Sequence, residues 1–196
     1  MVARKSPLEI WTIGHSTHPG DKFLDLLQKH SITALADVRR FPGSRRHPQF
    51  NQEALAASLA EAGIAYVHFP ELGGRRSAHK NSPNTAWRNS AFRGYADYMD
   101  TAEFRKGIVR LLALAQIKST CLMCAETLWW RCHRALVADY LKAKGHTIWH
   151  ILATGKTQEH PYTSAASISD GKLSYEAPAE PELWRDQPVE SRGLAE

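Results

Sequence analysis

The stretch STCLMCAETLWWRCHRALVADYLKAKGHTIWHIL, residues 119–152, decides the fold. Its apolar run at 119–125 predicts a buried strand, and the run at 146–152 predicts a second one. Between them, residues 131–145 have the pattern of a helix that ends at Gly145. Strands that alternate with helices are typical of an α/β fold with a largely parallel sheet.

The same alternation runs through the preceding part of the chain. Further strands are predicted at 9–14, 33–38 and 64–69, and helices at 21–30, 51–63, 91–99 and 101–116. Asn51 is a candidate N-cap of its helix, and Gly63 is a candidate C-terminal stop. We therefore expect a single α/β domain at residues 8–155, with a mostly parallel five-stranded sheet and helices on both faces.

The sequence changes in character after residue 155. We expect residues 156–196 to form a C-terminal extension, in which Asp170 and Gly171 predict the turn of a short hairpin. Residues 176–196 contain three prolines, five glutamates and few apolar side chains, which predicts a mobile tail. Trp184 is the exception, as a candidate for docking onto the domain.

Composition narrows the class of protein. The three cysteines all lie within residues 121–132, and an odd number so closely spaced argues against a disulfide framework. The first residues lack the apolar run of a secretory signal, and no later run approaches the roughly 20 residues that span a bilayer. We expect a cytoplasmic protein without a membrane partner.

Positive charge is concentrated in one part of the chain. The net charge is +5, and residues 39–93 contain eight arginines and one lysine against three glutamates. The planar guanidinium suits bidentate contacts with phosphate or carboxylate. This segment predicts an anionic partner, small or polymeric, with a solvated basic surface as the alternative.

Four successive predicted strands are followed by polar or charged residues. They are GHST at 14–17, DVRRFPGSRR at 37–46, PELGGRR at 70–76 and CAE at 124–126, and CHR at 132–134 begins the next helix. Ligands of open parallel sheets bind outside the carboxyl ends of the strands. We therefore expect these segments to form one site.

The residue types suggest which groups bind a ligand there. Arg39 and Arg75 are candidates to hold an anion, together with backbone amides of the turn 14–16. Gly73 and Gly74 permit a close backbone approach beside Arg75.

Acid–base groups lie at the same edge. Glu126 and Asp37 are candidate general acids or bases, assisted by His15 or His133. Asp37 has a structural alternative, in which it holds Arg39 or a backbone amide.

The thiols are reserve nucleophiles. Cys121 has the position of a core residue, whereas Cys124 ends a strand and Cys132 begins a helix, where the macrodipole would lower its pKa. Inside a helix, Cys132 and His133 would diverge by about 100°. Cys124 as a buried, inert thiol is the alternative.

Local spacing argues against two familiar sites. Cysteine phosphatases place five residues between the cysteine and the arginine, whereas six lie between Cys124 and Arg131. Structural zinc sites use paired ligands such as CxxC, and Cys124, Cys132 and His133 do not have that spacing. A catalytic metal held with His15 or Asp37 stays open.

Six motifs occur in order: TIGHST, DVRRFPGSRR, ELGGRR, FRGYADYM, LMCAE and RCHR. In this order the sequence resembles the domain-of-unknown-function 488 family over about residues 10–152. The resemblance implies one α/β domain with a cleft formed by motif residues, and it implies no activity or cofactor. The motif residues are Gly14, His15, Ser16, Asp37, Arg39, Ser44, Gly73, Gly74, Arg75, Cys124, Glu126, Cys132, His133 and Arg134.

Three functions are compatible with these observations. The leading hypothesis is an enzyme, a hydrolase or transferase, that acts on a small anionic substrate bearing a phosphate or nucleotide. A nucleic-acid-binding module is the second, with Trp87, Trp129 and Trp130 stacking on bases. A redox or metal site built on Cys124 and Cys132 is the third.

Overall fold

The computed structural model of the protein describes residues 6–178. Five helices and eight strands are found in this part of the chain. The helices are α1 (Gly20–Lys29), α2 (Gln52–Glu61), α3 (Ser90–Met99), α4 (Ala102–Ala115) and α5 (Arg134–Ala143). The strands are β1 (Glu9–Gly14), β2 (Ala34–Asp37), β3 (Ala65–His68), β4 (Thr120–Cys124), β5 (Thr147–Ile151), β6 (Thr157–Glu159), β7 (Ser167–Ser169) and β8 (Lys172–Ser174).

The main sheet has the strand order β3-β2-β4-β1-β5-β6. Its first five strands are parallel, and β6 is added to one edge antiparallel to β5. The predicted α/β class is therefore confirmed, with six strands instead of five. The three residues of β6 are polar and exposed, so they lack the apolar pattern that reveals the other strands.

Helices cover both faces of the sheet, as predicted. On one face, α3, α4 and α5 contribute a core around Tyr95, Phe104 and Leu136. On the other, α1 and α2 contribute a smaller core around Phe23 and Leu59. Side chains of a strand point alternately to its two faces, so each central strand contributes to both cores. No helix within residues 6–178 is long and apolar enough to cross a membrane.

Two local predictions concern the starts of helices. Asn51 is the N-cap residue of α2, as predicted, but its side chain accepts a hydrogen bond from the Ser44 amide (2.6 Å) and caps no helix amide. The helix predicted from residue 131 begins at Arg134, because a single 3₁₀ turn at Trp129–Arg131 precedes it. Cys132 is consequently extended, with φ −127° and ψ 145°.

The segment after β6 packs back on the domain. Strands β7 and β8 form an antiparallel hairpin whose turn residues, Asp170 and Gly171, have φ of 51° and 71°. The hydroxyl of buried Tyr175 donates to the Asp139 carboxylate of α5 at 2.9 Å. The expected mobile tail with Trp184 lies outside the described residues, apart from residues 176–178.

Candidate functional site

A cleft of about 540 Å³ opens at the carboxyl ends of β1, β2 and β4. Segments that follow four strands meet there, together with the residue before α5. The predicted site residues that line it are His15, Ser16, Arg39, Ser44, Gly74, Arg75, Cys124, Glu126 and His133. Thr17, Arg40, Phe41, Gly43, His47 and Ala125 complete the lining. Gly14, Asp37, Gly73, Cys132 and Arg134 do not line the cleft.

A buried ion pair fixes Arg39 in the wall of the cleft. Its Nε and Nη2 donate to the two oxygens of Asp37 at 2.9 and 2.6 Å. The Tyr66 hydroxyl donates to the same carboxylate at 2.8 Å. Asp37 is fully buried and Arg39 is 7% exposed. The Asp37 carboxylate therefore positions Arg39 and does not face the cleft as a general base would.

His15 completes the support of Arg39. Its Nδ1 lies 2.9 Å from the Ser16 carbonyl, which can only accept, so Nδ1 carries the proton. Its Nε2 then accepts from Arg39 Nη1 at 3.3 Å. Burial, followed by the positive charge of Arg39, lowers the pKa of His15 to about 4. The ring is neutral and stacks on Phe50, with 4.2 Å between centroids.

The backbone amides of the turn after β1 are used in hydrogen bonds within the protein. The amides of His15 and Ser16 donate to the Cys124 and Ala125 carbonyls, both at 2.9 Å. The expectation that these two amides bind an anion is therefore wrong. Gly14 lets the end of β1 lie close to the segment after β4, because a Cβ at position 14 would overlap the Glu126 carbonyl. Ser16 has a φ of 48°, a left-handed conformation that costs energy in a residue other than glycine.

The loop after β3 brings a second arginine to the cleft. Arg75 is exposed and left-handed, with a φ of 60°, and its carbonyl accepts from Arg40 Nη1 at 3.0 Å. A Cβ at Gly73 would lie 2.9 Å from the Arg40 Cα, and a Cβ at Gly74 would lie 2.7 Å from the His133 Nδ1. Within residues 6–178, two of the four left-handed residues that are not glycine, Ser16 and Arg75, thus line the cleft.

The net charge of the cleft is positive. Arg39, Arg40 and Arg75 line it, and Glu126 is the one carboxylate in the lining. Arg40 and Arg75 form no ion pair within residues 6–178. Sequence reasoning did not single out Arg40, although it stands beside Arg39 in the DVRR motif.

A cluster of two thiols and one imidazole lies next to the arginines. The Sγ atoms of Cys124 and Cys132 are 3.9 and 3.7 Å from the His133 Nδ1. Because Cys132 is extended, its side chain and that of His133 converge, contrary to the divergence expected in a helix. These soft donors suit a metal such as zinc, although their local spacing argues against a structural site.

The two thiols differ in acidity. A hydrogen bond from Cys132 lowers the pKa of Cys124 well below its usual value, against the effect of burial and with help from His133 and Arg134. Burial, and then the neighbouring Cys124, raises the pKa of Cys132. The expectation that the helix start makes Cys132 the more reactive thiol is therefore reversed.

Arg134 holds the loop between β4 and α5. The residue is 1% exposed, and its Nη2 donates to the Glu126 and Thr127 carbonyls at 2.8 Å each. The Nε and Nη1 atoms have no partner within the described residues. Arg134 thus lies beneath the cleft and supports the segment that presents Glu126.

Two of the tryptophans considered for base stacking are packed within the protein. Trp129 is buried and stacks on His150 at 4.4 Å and 4° between planes. Trp87 stacks on Phe92 at 4.8 Å. Trp130 is 49% exposed.

These features define the class of the protein: a parallel α/β domain with a cationic cleft at the carboxyl edge of its sheet. The family model described as Domain of unknown function DUF488 matches residues 20–141, and the chain belongs to this family. The resemblance inferred from the six motifs is thereby confirmed. No curated protein and no solved structure matched the chain significantly.

Proposed function

We propose that the cleft is the active site of an enzyme, a hydrolase or transferase, that acts on a small anionic substrate bearing a phosphate or nucleotide. The observation that carries the proposal is the fixed guanidinium of Arg39 in the wall of the cleft. Burying an ion pair removes two charges from water, which costs several kcal/mol per ion, so stability alone is a weak reason to build one. Presenting an oriented donor to a ligand is a better one.

Arg39 retains donors for a ligand. Three of its N–H groups are used, on Nε, Nη1 and Nη2, out of the five that a guanidinium has. Because Asp37 offsets its charge, Arg39 contributes chiefly geometry. Arg40 and Arg75 contribute the net positive charge that attracts an anion.

The same cleft supplies groups for chemistry. Glu126 is exposed in the lining and is the proposed general acid or base. Cys124 faces the cleft beside it and is the proposed nucleophile where no metal is bound. Neutral His15 acts on Arg39 and not on the substrate.

The nucleic-acid alternative has less support. Besides the packing of Trp87 and Trp129, Arg76 is held over the Tyr98 ring at 3.6 Å and donates to the Gly73 carbonyl. Arg93 donates from Nε and Nη2 to the Trp87 carbonyl. Part of the basic segment is therefore used within the fold.

Titration with inorganic phosphate by calorimetry tests the anion site. Arg39→Gln should weaken binding about 10- to 100-fold, since a charge-assisted hydrogen bond contributes about 1.5–3 kcal/mol. Arg46→Gln is the matched control, because Arg46 is exposed in the same basic loop and does not line the cleft. Equal losses in both variants, or tight binding of oligonucleotides that depends on Arg46, would favour the nucleic-acid module.

Phosphate release from p-nitrophenyl phosphate and from nucleoside phosphates tests the chemistry. Glu126→Gln should lower turnover of any substrate found by about 10²–10⁴-fold. The same variant should bind phosphate more tightly, because it removes the one carboxylate that lines the cleft. Full turnover in this variant would reject Glu126 as the acid–base group.

A further inference from the structure

The cluster of Cys124, Cys132 and His133 has the donor set and the dimensions of a metal site. The two Sγ atoms and Nδ1 all lie within 4.8 Å of one another. The sulfur–nitrogen separations of 3.9 and 3.7 Å are close to the roughly 3.6 Å that a tetrahedral zinc ion imposes, given Zn–S near 2.3 Å and Zn–N near 2.05 Å. Only small adjustments of the side chains are needed to bind an ion between them.

The imidazole presents Nδ1 to the two sulfurs. Its Nε2 lies 3.2 Å from the Val38 carbonyl, which can only accept, so Nε2 carries a proton and Nδ1 is the ring nitrogen left to bind a metal. A backbone carbonyl that binds the far nitrogen of a ligating histidine is a common feature of metal sites.

The surroundings hold the ring in place. The Gly74 backbone lies so close that a Cβ would come within 2.7 Å of Nδ1 and 3.1 Å of Cγ of His133. On another side, the Tyr95 ring packs at 4.9 Å between centroids. A preorganised ligand needs little further ordering when an ion binds.

One direction from the cluster remains open. Cys124 and His133 line the cleft, whereas Cys132 lies behind it and is 3% exposed. Three protein ligands with an open fourth position distinguish catalytic from structural zinc sites. Thiolates disfavour hard cations such as Mg²⁺ and Ca²⁺ and select zinc-like ions.

We propose that Cys124, Cys132 and His133 bind one zinc ion whose fourth coordination position faces the cleft. A water molecule or an oxygen of the anionic ligand occupies that position. The inference goes beyond the proposed function, because Arg39 and Arg75 offer an anion site without the metal.

The test uses the full chain, purified under a phosphine reductant and stripped with a chelator. Titration with Zn²⁺ against a chromophoric chelator should give about one equivalent, and Co²⁺ should give the visible bands of a tetrahedral ion with a thiolate charge-transfer band. Cys124→Ala and Cys132→Ala should each lose the site. Cys121→Ala should retain it, since Cys121 is buried and outside the cluster.

Three results would overturn the proposal. One is no stoichiometric binding of Zn²⁺ to the reduced wild-type chain. Another is a Co²⁺ spectrum without the thiolate band, which needs no variant and so does not depend on how the variants fold. The third is a loss of zinc binding in Cys121→Ala that is as large as the loss in Cys124→Ala and Cys132→Ala. Phosphate titration of the stripped protein separates the two hypotheses, because loss of the metal site leaves phosphate binding intact if the anion site is correct.

Discussion

Arg39 shows how single residues fix the chemistry of the cleft. Its guanidinium is held by Asp37, by His15 and, through Asp37, by Tyr66. None of these supports is a generic surface contact, because Asp37 is completely buried and His15 is nearly so. The guanidinium of Arg39 is therefore oriented in the wall of the cleft before any ligand binds.

Replacing the Asp37 carboxylate and replacing the Tyr66 hydroxyl that donates to it should have unequal effects. Asp37→Asn leaves the buried guanidinium without its counter-charge and should lower the free energy of unfolding by about 3–5 kcal/mol. Tyr66→Phe removes one hydrogen bond to that carboxylate and should cost about 1.5–3 kcal/mol. Urea unfolding of both variants measures the difference, and a larger effect of Tyr66→Phe would contradict the assigned roles.

A methyl group beside His133 should disturb the cluster selectively. Gly74→Ala places its Cβ 2.7 Å from Nδ1, and the ring must move. The affinity for zinc should fall by about 10- to 100-fold, as for other changes around metal ligands. Gly43→Ala is the control in the same cleft, because a Cβ at Gly43 meets nothing within 4 Å. Equal zinc affinity in the two variants would show that Gly74 does not control the ring.

At the scale of elements, the start of α5 determines the cluster. Had the helix begun at residue 131, Cys132 and His133 would point in different directions. The 3₁₀ turn at Trp129–Arg131 and the extended Cys132 bring their side chains together beneath Cys124. Buried Trp129, whose Nε1 donates to Gln158 Oε1 at 3.2 Å, anchors that turn to the edge strand β6.

One substitution should loosen the contact between residues 161–178, which contain the hairpin, and the rest of the domain. Asp139 accepts from the Thr163 hydroxyl, from Tyr175 and from His160, at 2.6, 2.9 and 3.0 Å. Tyr175→Phe removes one of these charge-assisted bonds and should cost about 1.5–3 kcal/mol, with faster proteolysis within residues 161–178. Tyr162→Phe, whose hydroxyl has no hydrogen bond within the described residues, should behave as wild type. Unchanged proteolysis of Tyr175→Phe would mean that Asp139 does not anchor the segment.

At the scale of the whole molecule, a buried polar chain crosses the larger core. Thr12, His150, His160 and Asp139 are linked by hydrogen bonds of 2.6, 2.8 and 3.0 Å, and all are at most 1% exposed. His160 Nε2 donates to the Asp139 carboxylate, which can only accept. Burial, followed by His160, lowers the pKa of His150 to about 2.

Stability should therefore decline on the acid side of neutrality. The unfolded chain protonates position 150 near pH 6.5, whereas the folded protein keeps it neutral down to about pH 2. The free energy of unfolding is undiminished by this group above pH 6.5 and falls by up to about 1.4 kcal/mol per pH unit below it. In urea unfolding at pH 7, 6 and 5, His150→Gln should show a shallower decline than wild type. Equal slopes would mean that His150 is not held neutral.

The α/β class was predictable because buried strands and amphipathic helices each have their own apolar period. Cys124 and Glu126 could be placed at the edge of the sheet for the same reason. The cluster of Cys124, Cys132 and His133 could not be found from spacing, since it joins a strand end to a residue that a 3₁₀ turn repositions. The hydrogen bonds from the His15 and Ser16 amides to the end of β4 likewise could not be predicted, because they depend on which strands are neighbours in the sheet.

The most direct test of the central claim is a crystal structure of the protein soaked in phosphate. We predict a phosphate in the cleft with oxygens about 3 Å from the Nη atoms of Arg39 and from the Arg75 guanidinium. Phosphate bound only at exposed arginines such as Arg45 and Arg46, with water alone beside Arg39, would contradict an anion-binding active site.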